Sequence, residues 1–78
     1  TQFQLFPNPS NSSFNVRSSG IEMTEVKVYD QLGKVMLYQT NLGFTGEFNT
    51  AQWTSGVYFV QIKGANATFE THKLVVIH

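Results

Sequence analysis

Gly56-Val57-Tyr58-Phe59-Val60-Gln61-Ile62 is the longest unbroken run of β-branched and aromatic residues in this 78-residue sequence, and it opens on a glycine. Alternation places Tyr58, Val60 and Ile62 on one face and Val57, Phe59 and Gln61 on the other. Both faces are largely apolar, so the pattern predicts a central strand covered on both sides. The remaining segments are expected to pair beside this strand or pack on it.

Downstream, Lys63-Gly64-Ala65-Asn66 reads as a hairpin turn, and Thr68 to Ile77 as a returning last strand that ends in Leu74-Val75-Val76-Ile77. Upstream, Thr50 to Ser55 is a polar connection with Trp53 alone in its middle, where a large aromatic is expected to plug the rim of a sandwich. Phe48 belongs to a short strand, and Asn41 to Gly46, with two glycines, is expected to be the loop before it. Val35 to Gln39 is the return strand of a tight hairpin turning at Tyr29-Asp30-Gln31-Leu32-Gly33-Lys34. There Asp30 can accept from amides two residues on, and Gly33 can take a positive φ. In the strand before it the apolar residues change parity, from Ile21 and Met23 to Val26 and Val28, which places a bulge or a strand start near Thr24 and Glu25.

The first part of the chain follows the same grammar. Phe3-Gln4-Leu5-Phe6 alternates and stops at Pro7-Asn8-Pro9-Ser10, a stiff corner in which each proline removes a donor and restricts the residue before it. Ser10 to Ser13 offer hydroxyls to turn amides. Phe14 and Val16 then face in while Asn15 and Arg17 face out, and Ser18-Ser19-Gly20 closes that strand. Seven strands at short spacing, with no helical periodicity, predict an all-β, antiparallel, immunoglobulin-like sandwich without its disulfide.

Composition bounds the function. A chain of this length makes one small domain, with a stability of about 4 to 12 kcal/mol. Formal net charge is zero and 13% of residues are charged, so the basic field needed for nucleic acid or an anionic membrane surface is missing. Cysteine is absent, which excludes both a disulfide framework and a thiolate metal site. No apolar run approaches the roughly 18 residues of a membrane span, so membrane insertion is not expected. Thr1 leads straight into a strand pattern with no signal peptide, and an exported chain is expected to take its entry signal from another part of a longer precursor.

Catalytic and metal-binding patterns are not found. His72 and His78 lie about 20 Å apart along one strand at roughly 3.3 Å per residue, so they cannot chelate one metal and read as isolated surface histidines. Asp30 is the single aspartate and is better explained by its turn than by calcium, which needs several oxygens in one loop. Glu22 and Glu25 read as a solvated edge, not as an acid and base pair. No serine stands in a nucleophile elbow. Asn11-Ser12-Ser13 and Asn66-Ala67-Thr68 match the glycosylation triplet, a pattern short enough to recur by chance. No cofactor and no small-molecule substrate is expected, and the residues read as a small sandwich module that is not an enzyme.

Three features occur together in order: Leu5-Phe6-Pro7-Asn8-Pro9-Ser10 at the start, Val26-Lys27-Val28-Tyr29-Asp30-Gln31-Leu32-Gly33-Lys34-Val35 in the middle, and Gly56-Val57-Tyr58-Phe59-Val60 followed by Lys73-Leu74-Val75-Val76 at the end. With this set the chain resembles, over essentially its whole length, the type A C-terminal sorting domain of the type IX secretion system. The resemblance implies a seven-stranded immunoglobulin-like sandwich at the end of a larger secreted cargo in Bacteroidetes-type Gram-negative bacteria. It implies transit through the periplasm, reading by the outer-membrane translocon and shuttle proteins, removal by a cysteine-type sortase, and delivery to the cell surface or the medium. It implies no catalysis. Many family members finish on a basic residue, whereas this sequence finishes on Ile77-His78.

Two segments are candidates for translocon recognition. Pro7, Asn8 and Pro9 form a preordered corner with little freedom to lose on binding, although the corner also serves simply to start the sandwich. Lys73, Leu74, Val75, Val76 and Ile77 form a terminal strand whose unpaired amides would accept a receptor strand if it lies at a sheet edge. The competing expectation is a buried strand, covered on both faces, that locks the fold. Tyr29, Asp30, Gly33 and Lys34 are assigned to turn structure. A different class of function, a carbohydrate-binding module, would use Trp53, Tyr38 and Phe44 and needs exposed coplanar aromatics. A passive spacer is the third reading.

Overall fold

The computed structural model describes residues 2–7 and 10–78. Asn8 and Pro9, the middle of the proline corner, lie outside the described residues. Seven strands run β1 (Phe3–Phe6), β2 (Ser13–Ser18), β3 (Met23–Tyr29), β4 (Val35–Gly43), β5 (Thr45–Asn49), β6 (Gly56–Gly64) and β7 (Phe69–Val76). They form two antiparallel sheets, one in the order β1-β2-β5 and one in the order β4-β3-β6-β7. No helix occurs among the described residues.

The core lies between the sheets. Phe3, Phe14, Val16 and Phe48 come from the three-stranded sheet, and they meet Val26, Val28, Val60, Ile62, Leu74 and Val76 of the other. Period-two alternation places these side chains inward, and removing each large one from water contributes about 1.5 to 3 kcal/mol. Trp53 closes one end. Its ring lies 6.2 Å from that of Phe14 and 4.9 Å from that of Tyr58, whose hydroxyl donates to the Thr54 carbonyl at 2.6 Å. This is the rim position expected of it.

Two local readings of the sequence correspond to what is observed. The β3 register shifts between Met23 and Glu25 against both β4 and β6, which is the bulge that the change of parity requires. At the β3–β4 hairpin, Asp30 Oδ1 accepts from the amides of Leu32 and Lys34, each at 2.9 Å, and Gly33 has φ 86°.

Other expectations are corrected. β6 is central, with β3 on one side and β7 on the other, but only its Tyr58-Val60-Ile62 face is covered. Phe59, on the opposite face, is 40% exposed. The loop expected over residues 41–46 is almost absent, because β4 runs to Gly43 and β5 starts at Thr45. The chain changes sheets there through positive φ at Asn41 and Gly43, so a bend takes the place of a loop. Ser18 is not turn but the buried last residue of β2, and its hydroxyl donates to the Ile21 carbonyl. The final hairpin turns later than expected: β6 extends through Gly64, and the Asn66 side chain accepts from the Thr68 amide at 3.1 Å. Gly64 is buried, and a Cβ there would sit 2.6 Å from Ile21 Cδ1, so the site has no room for a side chain.

Candidate functional site

β1 and β7 are the edge strands of different sheets, and they border the same side of the sandwich. Among the described residues, Glu70 and Ser10 fasten this seam at its two ends. At one end the Gln2 amide donates to Glu70 Oε2 at 2.9 Å, and the Phe3 amide also bonds this carboxylate. Burial opposes ionisation of Glu70, but these two amides and His72, whose Nε2 is 2.8 Å from Glu70 Oε1, outweigh it and hold the carboxyl below its ordinary value.

At the other end stands Ser10. Its amide donates to the Val75 carbonyl at 2.7 Å, and its carbonyl accepts from the Ile77 amide at 2.8 Å, a one-residue parallel bridge to the end of β7. Its hydroxyl donates to the Ser13 carbonyl at 2.9 Å, which leaves the Thr50 hydroxyl, 3.2 Å away, to donate to Ser10 Oγ. Ser10 and Thr50 are both fully buried. The hydroxyls after the proline corner were expected to serve turn amides, and Ser10 instead ties β7 to the start of β2 and the exit of β5.

This arrangement joins two candidate segments that are far apart in sequence. Pro7, exposed and following a cis Phe6–Pro7 bond, leads into Ser10, and Ser10 is paired with the last residues of the Lys73 to Ile77 segment. Within that segment the roles divide. Leu74 and Val76 are in the core, Val75 is half-buried, and Lys73 and Ile77 are exposed. Four consecutive apolar residues therefore do not need cover on both faces here. β7 is an edge strand, as a receptor-strand mode requires, yet the Val75 carbonyl and Ile77 amide are already taken by Ser10. Further back along β7, a cleft of about 500 Å3 is lined by Phe3, Gln4, Leu5, Phe6, Arg17, His72 and Lys73. Arg17 is held over the Phe6 ring, 5.4 Å from its centroid, and donates to Gln4 Oε1 at 2.9 Å.

The remaining candidates fall elsewhere. His72 is bound to Glu70, and a ring nitrogen of His78 lies 2.6 Å from the Trp53 carbonyl oxygen, so neither histidine is isolated. Glu25 is on the interior strand β3, not at an edge, and accepts from the Tyr38 hydroxyl at 3.2 Å. That bond raises the Tyr38 phenol above its ordinary value. Among the described residues no group of three His, Asp or Glu comes together to hold a metal ion. Trp53, Tyr38 and Phe44 do not gather either. Trp53 is packed at the core rim, Tyr38 is on β4, and Phe44 sits where the chain changes sheets. Ser10 and Glu70 were not legible as site residues, because both tie the seam through partners far along the chain.

The chain is similar to known proteins at both levels. The description "Secretion system C-terminal sorting domain" matches residues 4–77. An endo-acting ulvan lyase of Formosa agariphila is 32% identical over 74 residues, which cover 94% of this chain and 14% of that enzyme. Among solved structures, that of PorZ, described as an essential bacterial surface component of the type-IX secretion system of Porphyromonas gingivalis, superimposes with a TM-score of 0.78 at 19% identity. It covers 97% of this chain and 11% of PorZ, and at that identity it establishes the fold. The chain belongs to the family of secretion system C-terminal sorting domains, the sorting signals of type IX secretion that send proteins to the cell surface or the medium.

Proposed function

We propose that this domain is the terminal module of a larger secreted cargo, crosses the periplasm as a folded sandwich, and is read there by the outer-membrane translocon and its shuttle proteins. The observation that carries this is the family match over residues 4–77, which leaves almost none of the chain for another task. The lyase relative supports the modular part of the reading, since the likeness covers 14% of that much longer protein. The strand orders β1-β2-β5 and β4-β3-β6-β7 support an immunoglobulin-like topology for the sandwich. The domain itself catalyses nothing, and a sortase removes it after export.

Within the recognition set, Leu74 and Val76 hold the fold, while Pro7, Lys73 and Ile77 offer exposed surface beside the seam. Asn8 and Pro9, outside the described residues, remain in the proposed recognition set. Fusing residues 1–78 to a reporter tests the reading. The reporter should reach the cell surface or medium in a type IX-competent host and remain in the periplasm when the translocon is deleted. Lys73→Ala and Asn8→Ala, each with an unchanged melting temperature, should reduce export, and removal of His78 should be nearly silent. Equal export with and without the translocon would refute the function, and normal export of both folded variants would move the recognition surface elsewhere.

A further inference from the structure

The four-stranded sheet has an outer face that folding does not explain. Val26, Val28, Val60 and Ile62 point into the core, so their neighbours along β3 and β6 point out. Register then aligns Tyr29, Phe59 and Lys73 in one row across β3, β6 and β7. A second row holds Tyr38 and Lys27, and a third holds Glu25, Lys63 and Phe69. Tyr38 and Phe69 are each 55% exposed. The sequence has five cations and five anions, yet three of the lysines lie on this face against Glu25. An electrically neutral domain has thus gathered positive charge around solvent-facing aromatics, a combination that favours docking over solubility.

We infer that this face docks a partner protein of the export machinery whose contact surface has an apolar centre and an acidic rim. The inference rests on the sorting function. Phe59 in the middle of the sheet is the anchor, and Lys27, Lys63 and Lys73 around it steer an acidic surface into register, the division between buried aromatic centre and charged periphery found in protein interfaces. A second copy of this chain does not fit, because face-to-face pairing sets lysines against lysines. A sugar polymer fits poorly for a geometric reason. Lys27 Nζ lies 5.8 Å from the Tyr29 ring centroid and 5.3 Å from that of Tyr38, so a cation already sits beside both tyrosine rings of the face. Lys73 also borders the seam cleft, which makes the outer face and the seam one continuous surface.

The test compares export of reporter fusions carrying Phe59→Ser, Lys63→Glu or Lys34→Glu, each melted first as a purified protein. Lys34→Glu makes the same change in charge at the exposed β3–β4 hairpin. The expected result is a loss of at least about tenfold in export for Phe59→Ser and Lys63→Glu, with Lys34→Glu exporting normally and all three melting as the unsubstituted chain. Phe69→Ser, at the other end of the face, replaces Phe59→Ser if the latter lowers the melting temperature. Normal export of the folded face variants overturns the inference and leaves the sorting function standing. An equal loss for Lys34→Glu overturns it in favour of a net-charge effect. Saturable binding of polygalacturonate, abolished by Lys63→Glu, overturns it in favour of an acidic polysaccharide. Failure of the unsubstituted fusion to leave the cell removes the sorting function itself, and the inference with it.

Discussion

The outer faces of the two sheets differ in a way their inner faces do not. Inside, both contribute aliphatic and aromatic side chains to one core. Outside, the three-stranded sheet presents Gln4, Asn15, Arg17, Thr45 and Glu47, polar and balanced in charge, with one aromatic, Phe6, at its edge under the Arg17 guanidinium. The four-stranded sheet presents Tyr29, Tyr38, Phe59 and Phe69 among lysines. Both sheets have the same need to fold, so the contrast separates what holds the sandwich together from what the sandwich shows to its surroundings. Folding accounts for the inner rows and the seam, and recognition accounts for the aromatic outer face.

The largest expected effect pits two adjacent residues of β6 against each other. Val60→Asp places an unpaired charge in the core and should cost more than about 4 kcal/mol, enough to unfold a domain of this size. Phe59→Asp, one residue away on the outer face, should cost less than about 1 kcal/mol. Thermal melts followed by circular dichroism measure both. If Phe59→Asp also unfolds the chain, the outer aromatics are structural and the comparison fails.

A smaller effect is expected at the seam. Ser10→Ala removes the hydroxyl shared by the half-buried Ser13 carbonyl and the buried Thr50 hydroxyl, and should cost about 1 to 2 kcal/mol. The backbone pairing of Ser10 with Val75 and Ile77 weakens with it, so hydrogen exchange at the Ile77 amide should speed up more than at the Val60 amide in the middle of β6. Uniform acceleration would mean that Ser10 supports the whole fold and not the seam in particular.

The smallest effect concerns pH. Glu70 has its carboxyl lowered in the folded chain, so its contribution to stability is complete above the ordinary value of 4.5 and is lost as pH falls through the lower folded value. The unsubstituted domain should therefore lose melting temperature more steeply below pH 4.5 than Glu70→Gln does. Parallel acid profiles would show that the Gln2 and Phe3 amides do not hold the seam through this carboxylate.

Local chemistry was legible in the sequence, and long-range contact was not. The Asp30 turn needs only an acceptor and a glycine a few residues apart, and the β3 bulge needs only a change of parity, so both can be read directly. Phe59 misled for a physical reason: an aromatic on an outward row carries the same alternation as one in a doubly covered strand, and only the structure tells a recognition face from a second core. The site was legible in pieces. The proline corner and the last strand both stand out as segments, but nothing local to Ser10 says that it pairs with Val75 and Ile77 across more than sixty residues. The change of sheet at Phe44 was hidden because Asn41 and Gly43 look like loop residues, while the chain uses them to bend a nearly continuous pair of strands.

Export of the reporter fused to the unsubstituted chain, set beside the same fusion carrying Val60→Asp, is the most direct measurement. If the signal is a folded surface, the first is exported and the second is retained in the periplasm at equal expression, although every residue of the proline corner and of Lys73 to Ile77 is unchanged. Equal export of the unfolded Val60→Asp fusion would contradict the account, because the signal would then be read as a linear sequence and not as a sandwich.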